Sequence, residues 1–206
     1  MLLAAVLAYS ARVVKRPEVG AANRIAGLGY ALPGAVIAVG ILVPVTRLDN
    51  LVANWAEAQL GVKLGLVLTG SIAALVYAYL VRFLAIALQT VEAGLAKVRP
   101  SMEDAARVLG LTPAQTLARV HAPILRGSLL TAGLMVFVDV MKELPATFAM
   151  RPFNFDTLAV QAYNMATDER LPEAAAASLV IVAVGLVPLI ILSRAISRGR
   201  RAGAGS

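Results

Sequence analysis

A 206-residue chain that is 59% hydrophobic and only 15% charged, with a mean hydropathy of +0.78, falls short of the roughly one-quarter charged residues of a soluble domain and reads as an integral membrane protein. Its net charge of +7 is spread over short clusters between apolar runs, not gathered into the basic stripe of a nucleic-acid binder. The absence of cysteine rules out disulfide and thiolate chemistry, and the single histidine, His121, argues against a His-based metal site.

In chain order, Met1–Tyr9 is apolar but shorter than the roughly 20 residues of a spanning helix. Arg12, Lys15 and Arg16 follow it, whereas a signal peptide carries its charge ahead of its apolar region. We read a partial first span (residues 1–11) whose earlier turns are missing, with a short interfacial helix as the alternative. Four further stretches are long enough to cross, at about residues 25–46, 64–90, 127–150 and 174–194. Pro33, Gly34, Pro44, Pro145, Gly185 and Pro188 lie within them, either as breaks lining a pathway or as kinks that aid packing. The expectation is a single all-α transmembrane domain over residues 1–206, a polytopic helical bundle.

The connecting segments alternate in charge. Residues 12–24, residues 92–126 and the tail with Arg194, Arg198, Arg200 and Arg201 are net basic; residues 47–63 are balanced; residues 151–173 are net acidic. The positive-inside rule places the three basic segments, the C-terminus among them, in the cytoplasm.

The longest cytoplasmic segment, residues 92–126, contains SMEDAARVLGLTPAQTLARVHAP, Ser101–Pro123. Ser101 followed by Asp104 has capping-box spacing, with Pro100 ending the incoming structure. Gly110 suits the left-handed residue that stops a helix. Thr112 then serves as N-cap with Pro113 at the first helical position, and Pro123 ends the second helix. Ala105, Ala106 and Leu109 share one small apolar face that permits close approach of a partner. The alternative is an amphipathic loop lying at the membrane interface.

Asp104-Ala105-Ala106, then Gly110, Val120 and Pro123, resembles the cytoplasmic EAA loop of binding-protein-dependent ABC importers, with Asp104 where that family has Glu and Ala122 where it has Leu. AANRIAGLGYALPG (Ala21–Gly34), AIALQTVEAGLAKVRPSMEDAARVLG (Ala85–Gly110) and KELPATFAMRPFNFDTLAVQAYNMA (Lys142–Ala166) are similar to the ferric iron type of these permeases. The resemblance implies the type I ABC importer (MetI-like) permease fold in a bacterial inner (plasma) membrane, with Glu103, Asp104, Ala105, Ala106, Leu109, Gly110 and Pro123 in the ATPase-docking loop. It implies as partners a dimeric ABC ATPase that binds ATP and Mg, a periplasmic or lipid-anchored substrate-binding protein, and a second permease half. The usual permease fuses two homologous halves; this chain corresponds to the C-terminal half, N-terminally truncated, with one EAA-type loop. No cofactor is expected in this chain. Thiamine, sulfate, phosphonate and polyamine importers use similar spans and loops.

Asp139, Lys142 and Glu143 fall inside an expected span, where ionisable groups read as functional. On a continuous helix they would share a face, with Lys142 partly neutralising both carboxylates. They are candidates to line the translocation pathway, or to pair with the other permease half; Lys142 opposes direct iron coordination, and no metal site is assigned. Arg82 is expected to snorkel to the headgroups and His121 to take a surface or capping role. Arg151, Phe153, Asn154 and Asp156 belong to an outer turn that suits a gate or a binding-protein contact, although an interfacial aromatic belt also accounts for Phe153 and Phe155. The competing functions are an intramembrane enzyme using Asp139, Lys142 and Glu143, and a passive channel or anchor. The chain has no GxxxxGK[ST] loop with which to hold a nucleotide's phosphates, so no catalytic residue is assigned.

Overall fold

The computed structural model describes residues 1–14 and 16–203, with side chains described for all of these except residues 192 and 195–203. Lys15 of the first basic cluster lies outside them. Every regular element among the described residues is helical: α1 (Leu2–Val13), α2 (Pro17–Ala26), a 3-10 turn (Gly29–Ala31), α3 (Gly34–Leu60), α4 (Ile72–Leu95), α5 (Pro100–Val108), α6 (Pro113–Thr116), a π-helical turn (Leu117–His121), α7 (Ala122–Met141), α8 (Pro145–Met150), α9 (Leu158–Thr167) and α10 (Leu171–Gly203).

The helix boundaries revise the expected spans, and each revision has a local cause. The span expected from Ile25 begins at Gly34, because Pro33 holds φ −57° and ψ 140° as its N-cap and bars the preceding residue from helix. No breaker then intervenes until Gly61, whose φ of +68° ends α3. The stretch expected as an outer loop from Arg47 is therefore mostly helix, and 27 residues give α3 a length of about 40 Å at 1.5 Å per residue. Pro44 is accommodated inside it. The next helix begins at Ile72 instead of residue 64. The backbone before it folds back onto Asp49, whose carboxylate accepts N–H bonds from Val67 (3.2 Å), Leu68 (2.9 Å) and Thr69 (2.6 Å). The span expected over 127–150 is interrupted: α7 stops at Met141 and α8 restarts at Pro145, a residue with no N–H to offer a continuing helix. Among the described residues four helices are long and apolar enough to cross a membrane: Gly34–Leu60, Ile72–Leu95, Pro113–Met141 and Leu171–Ile191.

The chain divides into two compact units: Met1–Tyr30 with Phe83–Phe137, and Ala31–Arg82 with Val138–Ser206. In the first, Ala4 and Ala8 of α1 pack with Ala87, Leu88, Val91 and Leu95 of α4 and Leu125 of α7. Small residues let these backbones come close, as they do in membrane helix pairs. At Gly94 the approach is so tight that a Cβ would lie 2.5 Å from Ser128 Oγ and 2.9 Å from Leu125 Cδ2. In the second unit, Ile37, Ala38 and Ile41 of α3 meet Ala74, Leu75 and Ala78 of α4 and Ala146 and Met150 of α8. Outside these cores long apolar side chains stand exposed, among them Leu51 and Trp55 on α3 and Leu179, Val182 and Leu189 on α10. Such a surface suits lipid or a partner helix as its solvent.

Candidate functional site

The helical pair of the first unit is built as the sequence predicts at its hinge and differently at its ends. Gly110 adopts φ +76°. Its N–H donates to Arg107 O (3.0 Å), and the Leu111 N–H donates to Ala106 O (3.0 Å), the paired bonds of a Schellman stop that leave the glycine in the left-handed region. Thr112 caps the next helix with Pro113 at its first position. Gln115 completes a capping box: its backbone N–H donates to Thr112 Oγ1 (3.3 Å), and its side-chain oxygen accepts from the Thr112 N–H (3.0 Å). The spacing Thr-x-x-Gln carried that signal in the sequence.

The predicted Ser101–Asp104 box does not form. Arg99 is the N-cap of α5, makes no side-chain capping bond, and Pro100 occupies the first turn. Proline has no N–H to leave unsatisfied there, so it begins the helix instead of ending what precedes it. Asp104 pairs with Arg107 at 3.4 Å, both exposed. Nor does Pro123 end the second helix, which runs on from Pro113 to Met141. The turn before it widens to a π-helix, with the Ala122 N–H reaching back to Leu117 O. That widening makes room for a proline ring that would otherwise press on the carbonyl four residues earlier.

The face assigned to Ala105, Ala106 and Leu109 is divided. Ala106 is buried at 3% exposure, whereas Leu109 is 78% exposed and Ala105 is exposed beside it. The outward apolar stripe is Met102, Ala105 and Leu109, at i, i+3 and i+7, with Val108 (87% exposed) alongside. Glu103 turns inward. Its Oε1 accepts from Arg12 Nε and lies 3.3 Å from His121 Nε2. His121 is therefore no surface residue; it is fully buried, with its ring centroid 5.0 Å from that of Tyr9.

The second unit holds the other predicted residues. Lys142 binds Asp139 at 2.8 Å, and α7 has already ended at Met141, one residue before it. Glu143 pairs with Arg82, Nε to Oε2 3.2 Å, at side-chain exposures of 6% and 18%. It also accepts the Ala146 N–H at 3.0 Å, satisfying one donor of the first turn of α8. Arg82 thus belongs to a mostly buried ion pair and does not snorkel. Sequence reasoning missed this partnership, since 61 positions separate the two residues. Its one trace was Gly34, where a Cβ would lie 2.4 Å from Arg82 Nη1 and 2.5 Å from Glu143 Oε1.

The Arg151–Asp156 turn is cross-bonded through Arg151. Arg151 forms an ion pair with Asp156, donates to Phe155 O (3.2 Å) and lies 5.4 Å from the centre of the Phe148 ring, while Asn154 takes φ +62°. This leaves Phe153 95% exposed, whereas Phe155 packs against the core. Among the described residues no group of three or more His, Cys, Asp or Glu is placed to hold a metal ion.

Residues 1–202 match the protein family described as the binding-protein-dependent transport system inner membrane component. A proposed 2-aminoethylphosphonate transport system permease protein, PhnV of Salmonella typhimurium, is 28% identical over 171 residues, 83% of this chain and 58% of that relative. The Fe(3+)-transport system permease protein FbpB 2 of Haemophilus influenzae is 24% identical over 120 residues, 58% of this chain and 24% of its own length. The chain therefore spans little more than half of the phosphonate relative and about a quarter of the iron one. The crystal structure of a bacterial ABC transporter involved in the import of the acidic polysaccharide alginate superposes with a TM-score of 0.65 at 16% identity, covering 97% of this chain and 71% of that one. That likeness gives the all-α type I permease fold expected from the sequence. With the family matched over residues 1–202, this chain belongs to the family of binding-protein-dependent transport system inner membrane components.

Proposed function

We propose that the chain is the membrane-spanning permease subunit of an ATP-driven importer, taking substrate from a binding protein and coupling to a separate ATPase through the helical pair Pro100–His121. The observation that carries this reading is the exposed stripe Met102, Ala105, Leu109 and Val108 on a helix stopped by a Schellman turn and restarted by a capping box. It is a fixed apolar surface on a segment otherwise rich in charge, which suits a protein partner better than solvent. Glu103, Asp104, Ala106, Gly110 and Pro123 shape this element; ATP and Mg belong to the partner. The charge alternation puts the pair and the C-terminus on the cytoplasmic side. Asp139, Lys142, Glu143 and Arg82 then line or brace the translocation pathway, and the turn carrying Phe153 faces the binding protein. A second permease half supplies the other docking surface for an ATPase dimer.

The chain has no native cysteine, so crosslinking tests docking directly. Ala105→Cys and Leu109→Cys are expected to crosslink to the ATPase subunit and Ala106→Cys, buried, is not. Absence of a crosslink at both exposed sites counts against the reading. For the substrate, ferric iron is one proposal and 2-aminoethylphosphonate the other. The phosphonate relative matches 83% of the chain against 58% for the iron relative, which favours the phosphonate reading. Uptake of each labelled solute by cells carrying and lacking the gene separates the two.

A further inference from the structure

Arg12 stands at the end of α1, and its guanidinium is spent on three acceptors at once. Nε donates to Glu103 Oε1 on α5, Nη1 to Leu95 O and Nη2 to Val98 O. The last two are carbonyls at and just beyond the C-terminal end of α4, where a helix leaves acceptors without intrahelical partners. A planar fork of donors can satisfy a carboxylate and two carbonyls together; a single ammonium cannot. The N-cap of α5 makes no side-chain bond, and four residues, 96–99, join it to α4. One helical turn before Arg12, on the same face of α1, Tyr9 meets His121 from the π-helical turn, and His121 Nε2 approaches the same Glu103 oxygen at 3.3 Å. Both ends of the docking element therefore converge on Glu103 and on the last turn of α1.

We propose that Arg12 is a positioning residue for energy coupling. It clamps α5 to the ends of α1 and α4 through Glu103, so that force applied at the docking face reaches those helices and is not absorbed by flexing of residues 96–99. The proposal rests on the ATPase-docking reading and adds the route by which docking is transmitted. A clamp of this kind predicts a change in coupling, where a purely structural residue predicts parallel loss of everything.

The test uses the assembled transporter with its ATPase in proteoliposomes, supplied with binding protein and with labelled ferric iron or 2-aminoethylphosphonate. Arg12→Ala is compared with the unsubstituted protein, with the Leu109→Cys crosslink as a separate readout of docking. The expected result is an intact crosslink, continued ATP hydrolysis and a fall of about fivefold or more in substrate moved per ATP. Arg12→Lys, which keeps the charge but not the fork, is expected to fall between, and it carries the test if Arg12→Ala does not assemble. An unchanged ratio of transport to hydrolysis, with the crosslink present, overturns the clamp and leaves docking standing. A missing crosslink in the unsubstituted background overturns docking itself, and the clamp with it.

Discussion

Gly34 is a position where one hydrogen atom decides the fit. The Arg82 guanidinium and the Glu143 carboxylate occupy the space where a Cβ would stand, so a methyl group there displaces the far ends of both partners of a 3.2 Å ion pair. Gly34→Ala is therefore expected to destabilise by about 1–3 kcal/mol, as overpacking generally does, and a lowered thermal midpoint in detergent would register it. Glu143→Gln acts on the same cluster in another way. It leaves a guanidinium that is only 18% exposed without its counter-charge, and the loss of one partner from a buried pair costs about 3 kcal/mol. Reduced uptake with a lowered midpoint is expected, and Arg82→Met combined with Glu143→Gln should recover part of the stability but not the transport. Recovery of both would assign the pair to packing alone. Composition flagged Glu143 as a charge in an apolar run, but a run of letters does not say which distant helix supplies the counter-ion.

At the scale of the element, the helical pair divides into what local chemistry sets and what packing sets. The hinge was legible because Gly110 and Thr112-Pro113 act on their own backbone within one turn. Gly110→Ala puts a side chain at φ +76° and is expected to destabilise by about 1 kcal/mol. Thr112→Ala removes a cap and should act by a similar amount. Both should weaken the Leu109→Cys crosslink while leaving membrane insertion intact, a difference that crosslinking yield and membrane fractionation measure together. The direction of the apolar stripe was not legible. Ala105 and Ala106 are the same letter, and only the packing of Ala106 with the inward turn of Glu103 shows which of them faces out. Pro123 is the opposite case: a strong local stop signal is overridden by one π-helical turn, and the helix continues into a span.

For the whole molecule, the orientation drawn from charge bias has a direct check. With no native cysteine, Val108→Cys is expected to react with a membrane-impermeant maleimide only in inverted vesicles, and Phe153→Cys only in right-side-out ones. Labelling of both from the same side would overturn the topology. Both positions are highly exposed, so access to the reagent and not burial governs the outcome.

The sequence by itself determined the class of the protein, its helical content and the presence of a helical pair with a glycine hinge. These rest on composition, on runs of apolar residues and on signals that act over three or four positions. It also carried the family resemblance, through the spacing of Asp104, Gly110 and Pro123. Only the tertiary structure decided that the backbone before α4 folds onto Asp49, that Glu143 belongs to Arg82, and that Arg12, Glu103 and His121 meet. The physical reason is the same throughout. A buried polar group must find its partner wherever the fold brings one, and for Asp49, Glu143 and Glu103 the partners across the fold lie from 18 to 91 positions away.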